Sequence, residues 1–259
     1  MSLPYPNKEI EHLAIVTGAS KGLGYSMTKV LLSENVFVVT IARSDNILDE
    51  NDLLTEKNTH HFSADLSCTE STTSLLEKLT NFIDGLDALK SITLINNAGT
   101  VAPMGLFDST LNDYTFSEAF ELNVVSAMRL CKWLIERKDI SDENKKILNI
   151  SSGAGRKGVP GWGVYCATKA ALDRFSEVIA LERPKILVSS LAPGVIDTQM
   201  QQTIRATPKE NFPTLDRFTE LHASGNLSHP DKTAKKIINF LANKDFGATV
   251  IDDIRLHDV

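Results

Sequence analysis

Apolar residues fall into two patterns that alternate along the chain. Short continuous runs rich in β-branched residues predict buried parallel strands, because they lack the in-and-out alternation of half-exposed strands. Between these runs, apolar positions recur every three or four residues, which indicates helices. The predicted strands are residues 12–17, 36–41, 60–64, 92–96, 146–150, 186–191 and 248–251, and the predicted helices are residues 23–32, 69–83, 113–136, 162–181 and 230–241.

This alternation predicts the α/β class, with a doubly wound (Rossmann), mostly parallel sheet of about seven strands and helices on both faces. Since no linker interrupts the pattern, we expect a single domain over residues 1–259. One stretch, residues 193–230, has no strand pattern and contains four prolines. Its place after a strand end predicts a substrate lid at about residues 194–229, and a surface excursion with a short helix is the alternative.

Composition and charge exclude several kinds of partner. The 27 Lys and Arg residues against 33 Asp and Glu give a formal net charge of −6, which argues against binding to nucleic acid or to a membrane surface. The longest apolar runs fall far short of the roughly 20 residues that a membrane helix needs. Three cysteines without a CxxC pair, and an N-terminus without a signal-peptide pattern, predict a cytoplasmic protein. The six histidines are scattered, so we expect no metal site.

A glycine cluster follows the first predicted strand at the place where a helix begins. There, backbone N–H groups and the positive end of the helix favour an anion. The spacing G-x-x-x-G-x-G in this context predicts a site for a dinucleotide pyrophosphate, and a tight packing turn is the alternative. The candidate contacts are Gly18, Ser20, Lys21, Gly22, Leu23 and Gly24.

The residues after the second predicted strand indicate which dinucleotide binds. An acid at that place binds ribose hydroxyls, whereas an arginine accommodates a 2′-phosphate. Arg43 holds the early position, Asp45 follows it, and Lys21 offers a second cation from the glycine cluster. Because a guanidinium pairs with two phosphate oxygens at once, we expect NADP(H) as the cofactor. Two solvated surface cations are the alternative interpretation.

Ser152, Tyr165 and Lys169 all follow the fifth predicted strand and carry groups that can donate or stabilise a proton. Tyr165 and Lys169 are four residues apart, so on a helix they share one face. A phenol has a pKa of about 10, and a neighbouring ammonium lowers it. Ser152 can bond the same substrate oxygen, so that a carbonyl receiving hydride at carbon takes its proton from Tyr165. A solvent-facing Tyr and Lys on an ordinary helix is the alternative.

These residues occur in an ordered series that resembles the short-chain dehydrogenase/reductase family over nearly the whole chain. The resemblance implies a catalytic tetrad of Asn123, Ser152, Tyr165 and Lys169, in which Asn123 holds a water that relays protons toward Lys169. It also implies cofactor contacts from Asp65 and Leu66 at the adenine, from Asn97, Ala98 and Gly99 along the cleft, from Tyr165 and Lys169, and from Pro193, Gly194, Val195 and Thr198 near the nicotinamide. From the residues alone, 96–99 also fits a strand-ending turn, and Asn123 fits a helix residue that caps a neighbouring backbone.

Within the family, residues 161–171, 193–201 and 244–248 look like the sepiapterin reductase and benzil reductase branch. That resemblance implies a vicinal dicarbonyl substrate on an aromatic or pterin-like ring. Trp162 and Met200 are then expected to form an apolar wall around the ring, although Trp162 also fits a core anchor. Asp253, or its neighbour Asp252, is the candidate acid for a pterin. Since aligning this tail needs a one-residue gap, a general dicarbonyl reductase is the preferred interpretation.

The expected activity is therefore NADPH-dependent reduction of a small-molecule carbonyl compound. A cofactor-binding sensor without turnover and an NAD-linked alcohol dehydrogenase are the alternatives. Family members pair the equivalents of the predicted helices 113–136 and 162–181, so we also expect a homodimer. The apolar residues available for that interface, unless they pack internally, are Phe116, Phe120, Val124, Met128 and Trp133.

Overall fold

The computed structural model describes residues 10–44, 58–107, 111 and 114–258. Within them, seven strands form one parallel sheet in the order β3-β2-β1-β4-β5-β6-β7. The strands are β1 (His12–Thr17), β2 (Phe37–Ala42), β3 (Thr59–Ser63), β4 (Ser91–Asn96), β5 (Lys145–Ile150), β6 (Leu187–Ala192) and β7 (Ile251–Asp253). The strand order reverses between β1 and β4, which confirms the predicted doubly wound α/β class.

Helices cover both faces of this sheet. In the described residues they are α1 (Gly22–Ser33), α2 (Thr69–Asp84), α3 (Tyr114–Phe120), α4 (Ser126–Glu136), α5 (Gly163–Glu182), α6 (Gln199–Arg205), α7 (Leu215–Ala223) and α8 (Pro230–Ala242). The side chains of β1 alternate between two cores. Leu13 and Ile15 pack in the core that includes α2, α4 and α5, whereas Ala14 and Val16 pack in the core that includes α1 and α8. Burial on both faces explains why the strands read as continuous apolar runs.

The helix predicted over residues 113–136 contains a π-helical turn in the structure. Asp113 lies outside the described residues, and α3 passes into a π-helical turn at Glu121–Val125 before α4 begins. A π turn inserts an extra residue into a helix and often marks a functional site. The predicted helix is thus present over residues 114–136, and the sequence pattern did not indicate the π turn within it, which carries Asn123.

The segment predicted as a lid contains two short helices, α6 and α7. Its ends are tied together, because the Asp197 N–H donates to the Ser228 carbonyl and the Ser228 N–H donates to the Val195 carbonyl, each at 3.0 Å. The segment thus leaves and rejoins the fold beside the carboxyl end of β6. That is the position a lid requires, and its closure over a ligand stays a prediction.

The last strand begins further along the chain than the sequence pattern predicts. Residues 248–251 were expected to be extended, but the strand is Ile251–Asp253. A turn occupies the preceding residues, with the Phe246 N–H bonded to the Asn243 carbonyl at 3.1 Å and Gly247 at φ +83°. This turn delays pairing with β6, so the predicted start of the strand is wrong by three residues.

The surface bears on the expected partners. Of the apolar residues named for a subunit interface, Val124 is buried within the protein and Phe120 is 37% exposed. Phe116, Met128 and Trp133 are half-buried, so the interface stays a prediction.

Among the described helices, none is long and apolar enough to cross a membrane. Across the same residues, no three His, Cys, Asp or Glu side chains form a group that could hold a metal ion.

Candidate active site

The predicted site residues converge on one edge of the sheet. Parallel strands all end at the same edge, and the crevice at the switch between β1 and β4 is where doubly wound folds bind their ligands. Gly18 follows β1, Asn97 follows β4, Ser151 and Ser152 follow β5, and Pro193 follows β6. The fold therefore gathers at one edge motifs that are up to 175 residues apart in the chain.

The glycine loop is held tightly against the end of β4. The Asn97 Nδ2 donates to the carbonyl of Thr17 at 2.9 Å, and the Thr17 hydroxyl accepts the N–H groups of Asn97 and Ala98 at 2.9 and 3.0 Å. A Cβ at position 24 would overlap the carbonyl oxygen of Gly18, so only glycine fits there. Asn97 thus holds the glycine loop in place. This contact agrees with a strand-ending turn, the alternative that the sequence left open for residues 96–99.

The start of α1 fits an anionic group. Its N-cap, Lys21, makes no side-chain cap hydrogen bond, and the first turn contains no acidic residue. Gly22 adopts φ +57°, which turns the backbone sharply into the helix. The first N–H groups of α1 are therefore available to a pyrophosphate, as a dinucleotide requires. The Lys21 ammonium contacts the Gln199 side chain at the start of α6, so the glycine loop touches the predicted lid.

The ends of β2 and β3 bring together the residues predicted for the adenosine half of the cofactor. Arg43 is exposed after β2, and Asp45 lies outside the described residues. Partial burial raises the pKa of Asp65, but hydrogen bonds from Ser67 and the positive charge of Arg43 outweigh it and hold that pKa below its usual value. Arg43 and Asp65 are thus close enough to interact, while Leu66 is buried.

Tyr165 and Lys169 lie side by side on the buried face of α5. Burial raises the pKa of Tyr165 to about 12, against a hydrogen bond with Ser152 that lowers it. Burial also lowers the pKa of Lys169 to about 8, against the carboxylate of Asp173, which raises it. The Lys169 Nζ donates to the carbonyl of Ile150 at 2.8 Å and lies 5.9 Å from the centre of the Tyr165 ring. At neutral pH this geometry pairs a protonated phenol with an ammonium.

Asn123 joins this pair through the π turn. Its Oδ1 accepts the N–H of Thr100 at 2.8 Å, and its Nδ2 donates to the Thr100 carbonyl at 2.8 Å and to the Thr168 hydroxyl at 3.1 Å. A Cβ built on Gly99 would lie 3.1 Å from the Asn123 Oδ1 and 3.7 Å from the Lys169 Nζ. Asn123 therefore lies on the Lys169 side of the site, and it also caps a neighbouring backbone.

An aromatic cluster packs against Tyr165. The Trp162 ring lies 5.3 Å from Tyr165, 5.0 Å from Phe212 and 5.2 Å from Phe218, measured between ring centres. Phe212 and Phe218 come from the segment predicted as a lid, and Met200 packs against the same cluster. Trp162 is 6% exposed, so it is both a core anchor of this cluster and a neighbour of the phenol. The surroundings of Tyr165 are therefore apolar and aromatic.

The acids of the C-terminal tail are paired with other groups. Both carboxylate oxygens of Asp253 accept hydrogen bonds from the Arg255 guanidinium, at 2.9 and 2.5 Å. Asp252 accepts the N–H of Asp253 at 2.7 Å and contacts the His257 ring at 2.9 Å. A role for Asp253 toward substrate stays a prediction.

Several residues of the site were not singled out from the sequence. Thr100 positions Asn123, and the aromatic rings of Phe212 and Phe218 come from a segment without any periodic signal. Asp173 did carry a signal, because it follows Lys169 by four residues and so shares its helix face. A carboxylate at that spacing from the predicted lysine is the sequence signal that identifies Asp173.

Comparison with known proteins places the chain. A family model described as short chain dehydrogenase matches residues 12–209. A benzil reductase ((S)-benzoin forming) of Bacillus cereus is 36% identical over 239 residues, covering 90% of this chain and 94% of the relative. A sepiapterin reductase of Rattus norvegicus is 32% identical over 245 residues, covering 90% and 92%. The crystal structure of the KRED1-Pglu enzyme matches with a TM-score of 0.79 and 29% identity, over 93% of this chain and 99% of that one. The protein thus belongs to the short-chain dehydrogenase/reductase family, and it is similar to the benzil and sepiapterin reductase branch that the motifs indicated.

Proposed function

We propose that this protein is an NADPH-dependent carbonyl reductase that acts on vicinal dicarbonyl compounds carrying aromatic rings. The observation that carries the proposal is a protonated Tyr165 that lies beside the buried Lys169 ammonium and packs in an aromatic cluster. Such an arrangement suits an apolar substrate whose oxygen needs a proton. The benzil reductase of Bacillus cereus, 36% identical, supports the same substrate class.

The residues of the chain then have distinct roles. When bound, a nicotinamide dinucleotide supplies the hydride that reaches the carbonyl carbon. Tyr165 donates its phenolic proton to the carbonyl oxygen, and Ser152, whose Oγ accepts the Ala154 N–H at 3.1 Å, donates its own O–H toward the same oxygen. Lys169 stabilises the phenolate that remains, because its positive charge is close and only weakly screened in a buried site. Asn123 fixes the backbone beside Lys169.

Preference for NADPH over NADH rests on Arg43. An exposed arginine directly after β2 is at the place where a 2′-phosphate lies in this fold. Its charge already acts on Asp65, so the guanidinium faces the predicted adenosine end of the cleft. Lys21 reaches Gln199 in the structure, and its contribution to phosphate binding stays a prediction.

An aromatic dicarbonyl is a better candidate than a pterin. A pterin presents ring N–H and amino groups that call for a carboxylate partner, but the carboxylates of Asp252 and Asp253 are bound within the tail. The rings of Trp162, Phe212 and Phe218 are buried and pack against one another beside Tyr165. Apolar, aromatic surroundings of this kind favour an aromatic substrate over one that is recognised by hydrogen bonds.

A substrate panel tests the proposal directly. Oxidation of NADPH is followed by absorbance with benzil, an aromatic quinone, a pterin ketone and a simple aliphatic ketone. We expect benzil to give the highest kcat/KM and the aliphatic ketone the lowest, because the aromatic cluster beside Tyr165 favours a substrate with aromatic rings. If NADPH binds but none of these compounds increases its oxidation, the proposed function is wrong. A pterin ketone that exceeds benzil would instead assign the substrate class to pterins.

A further inference from the structure

Asp173 is a buried acid that the reaction scheme above leaves unused. It is 4% exposed and lies on α5 one turn beyond Lys169, on the same helix face. A carboxylate in such a place is costly unless it is paired and hydrogen-bonded. Its partners therefore show what holds it there.

Two residues from outside the helix fix the Asp173 carboxylate. The Ser190 hydroxyl, on β6, donates to its Oδ1 at 2.6 Å. The Arg156 Nε, from the turn after β5, lies 3.6 Å from its Oδ2, which accepts no hydrogen bond within the described residues. The Oδ1 atom is thus fixed by a hydrogen bond, whereas among the described residues the Oδ2 atom has only the ion pair with Arg156.

Arg156 is itself anchored to the sheet. Its Nη2 donates to the carbonyl of Asp252 on β7 at 2.6 Å and to the carbonyl of Ser190 at 3.3 Å. The adjacent Gly155 packs so closely on α5 that an added Cβ would lie 2.8 Å from the backbone carbonyl carbon of Lys169. The turn, the two strands and the helix therefore meet directly behind the catalytic lysine.

Lys169 needs a counter-charge in this place. Its Nζ is buried and, within the described residues, donates a hydrogen bond to the Ile150 carbonyl. The titratable groups that face it are Tyr165 and Asp173 on its own helix, while the π turn contributes the neutral amide of Asn123 and β5 contributes the Ile150 carbonyl. Arg156 acts from behind Asp173. In the part of the chain that the structure describes, Asp173 is therefore the acid one turn from Lys169 on the same buried helix face, and its carboxylate acts on the ammonium through its charge and not through a direct ion pair.

We propose that Asp173 is a positioning residue for Lys169: its carboxylate, fixed by Ser190 and balanced by Arg156, keeps the buried lysine in its ammonium form. The catalytic meaning of this inference rests on the proposed function, because the ammonium is the group that stabilises the Tyr165 phenolate. The effect of Asp173 on the charge of Lys169 does not depend on any substrate, so it can be measured on the protein alone.

The two charged neighbours give variants with effects of opposite sign. In Asp173→Asn the attraction is lost, and we expect the pKa of Lys169 to fall from about 8 to about 7, the lower end of what one opposite charge contributes. At pH 7.5 that change reduces the charged fraction of Lys169 about three-fold. In Arg156→Gln a repulsive, charge-balancing cation is lost, so the pKa is expected to rise. Glu177→Gln is the matched control, because Glu177 lies one turn further along α5 and pairs with Arg174.

The measurement is a pH titration of the Lys169 side chain by NMR in protein carrying ¹³C-labelled lysine, with the signal assigned from Lys169→Met. Alongside it, the high-pH limb of kcat for benzil reduction is expected to move down in Asp173→Asn, up in Arg156→Gln and not at all in Glu177→Gln. An unchanged Lys169 titration in Asp173→Asn, or a shift in the same direction in both variants, overturns the proposal. If Asp173→Asn does not fold, the direction of the shift in Arg156→Gln decides it. If no carbonyl compound is reduced, the proposed function fails while the titration still decides the role of Asp173.

Discussion

Replacing Asn123 with alanine is expected to destabilise the protein as well as the site. The Asn123 amide makes three hydrogen bonds, at 2.8, 2.8 and 3.1 Å, and the residue is 2% exposed. At about 1 kcal/mol net for each bond, the variant loses about 3 kcal/mol of unfolding free energy. For a chain of this size that corresponds to a Tm lower by roughly 6–12 °C. The N–H and carbonyl of Thr100 lose their partners in the variant, so the contact between Thr100 and the π turn is the part of the fold that is weakened.

Urea unfolding followed by tryptophan fluorescence measures this loss through linear extrapolation. Asn81→Ala is the matched control, because Asn81 is an exposed residue of α2 and its replacement is expected to change stability by less than about 0.5 kcal/mol. A loss below about 1 kcal/mol in Asn123→Ala, with an unchanged dependence on urea, would refute the reasoning. It would mean that the three bonds to Thr100 and Thr168 are not maintained in solution.

Four other outcomes are expected. Burial lowers the pKa of Lys169 to about 8, so the reduction rate should be constant below that pH and fall above it as the ammonium loses its proton; a rate that rises between pH 8 and 9 contradicts this. Arg43→Asp should move the ratio of NADPH to NADH dissociation constants toward NADH, and an unchanged ratio places the phosphate site elsewhere. Gly24→Ala should lose about 1–3 kcal/mol of stability and weaken NADPH binding, whereas Gly153→Ala, with open space around its Cβ position, should not. Light scattering at low micromolar concentration should give about twice the monomer mass of 28.5 kDa, and the monomer mass itself refutes the homodimer.

The strands could be predicted because the sheet is covered on both sides. All six strands β1–β6 lie within one residue of their predicted bounds at each end, and β5 shows why such small differences arise. That strand begins at Lys145, which is 1% exposed and donates to the Arg137 carbonyl at 2.7 Å and to Asp142 at 3.0 Å. A search for apolar residues leaves a lysine out of a buried strand, because the hydrogen bonds that satisfy its ammonium depend on how the preceding turn folds.

The site was predictable where the chemistry lies in short motifs. The glycine loop and the Tyr165–Lys169 pair carry their own spacing, so the fold only had to bring them to one edge. The π turn at Asn123 and the aromatic rings of Phe212 and Phe218 depend on packing between distant segments. No local periodicity encodes such contacts, which is why they became visible only in the structure.

The most direct test of the central claim compares Tyr165→Phe with the exposed control Tyr114→Phe in benzil reduction by NADPH. The account predicts that Tyr165→Phe lowers kcat by about 10²–10⁴-fold, since the phenol is the proton donor, while the NADPH dissociation constant measured by fluorescence changes little. Tyr114→Phe, whose ring is 71% exposed on α3, should match the wild type in both quantities. Wild-type turnover in Tyr165→Phe would contradict the claim that this residue protonates the substrate.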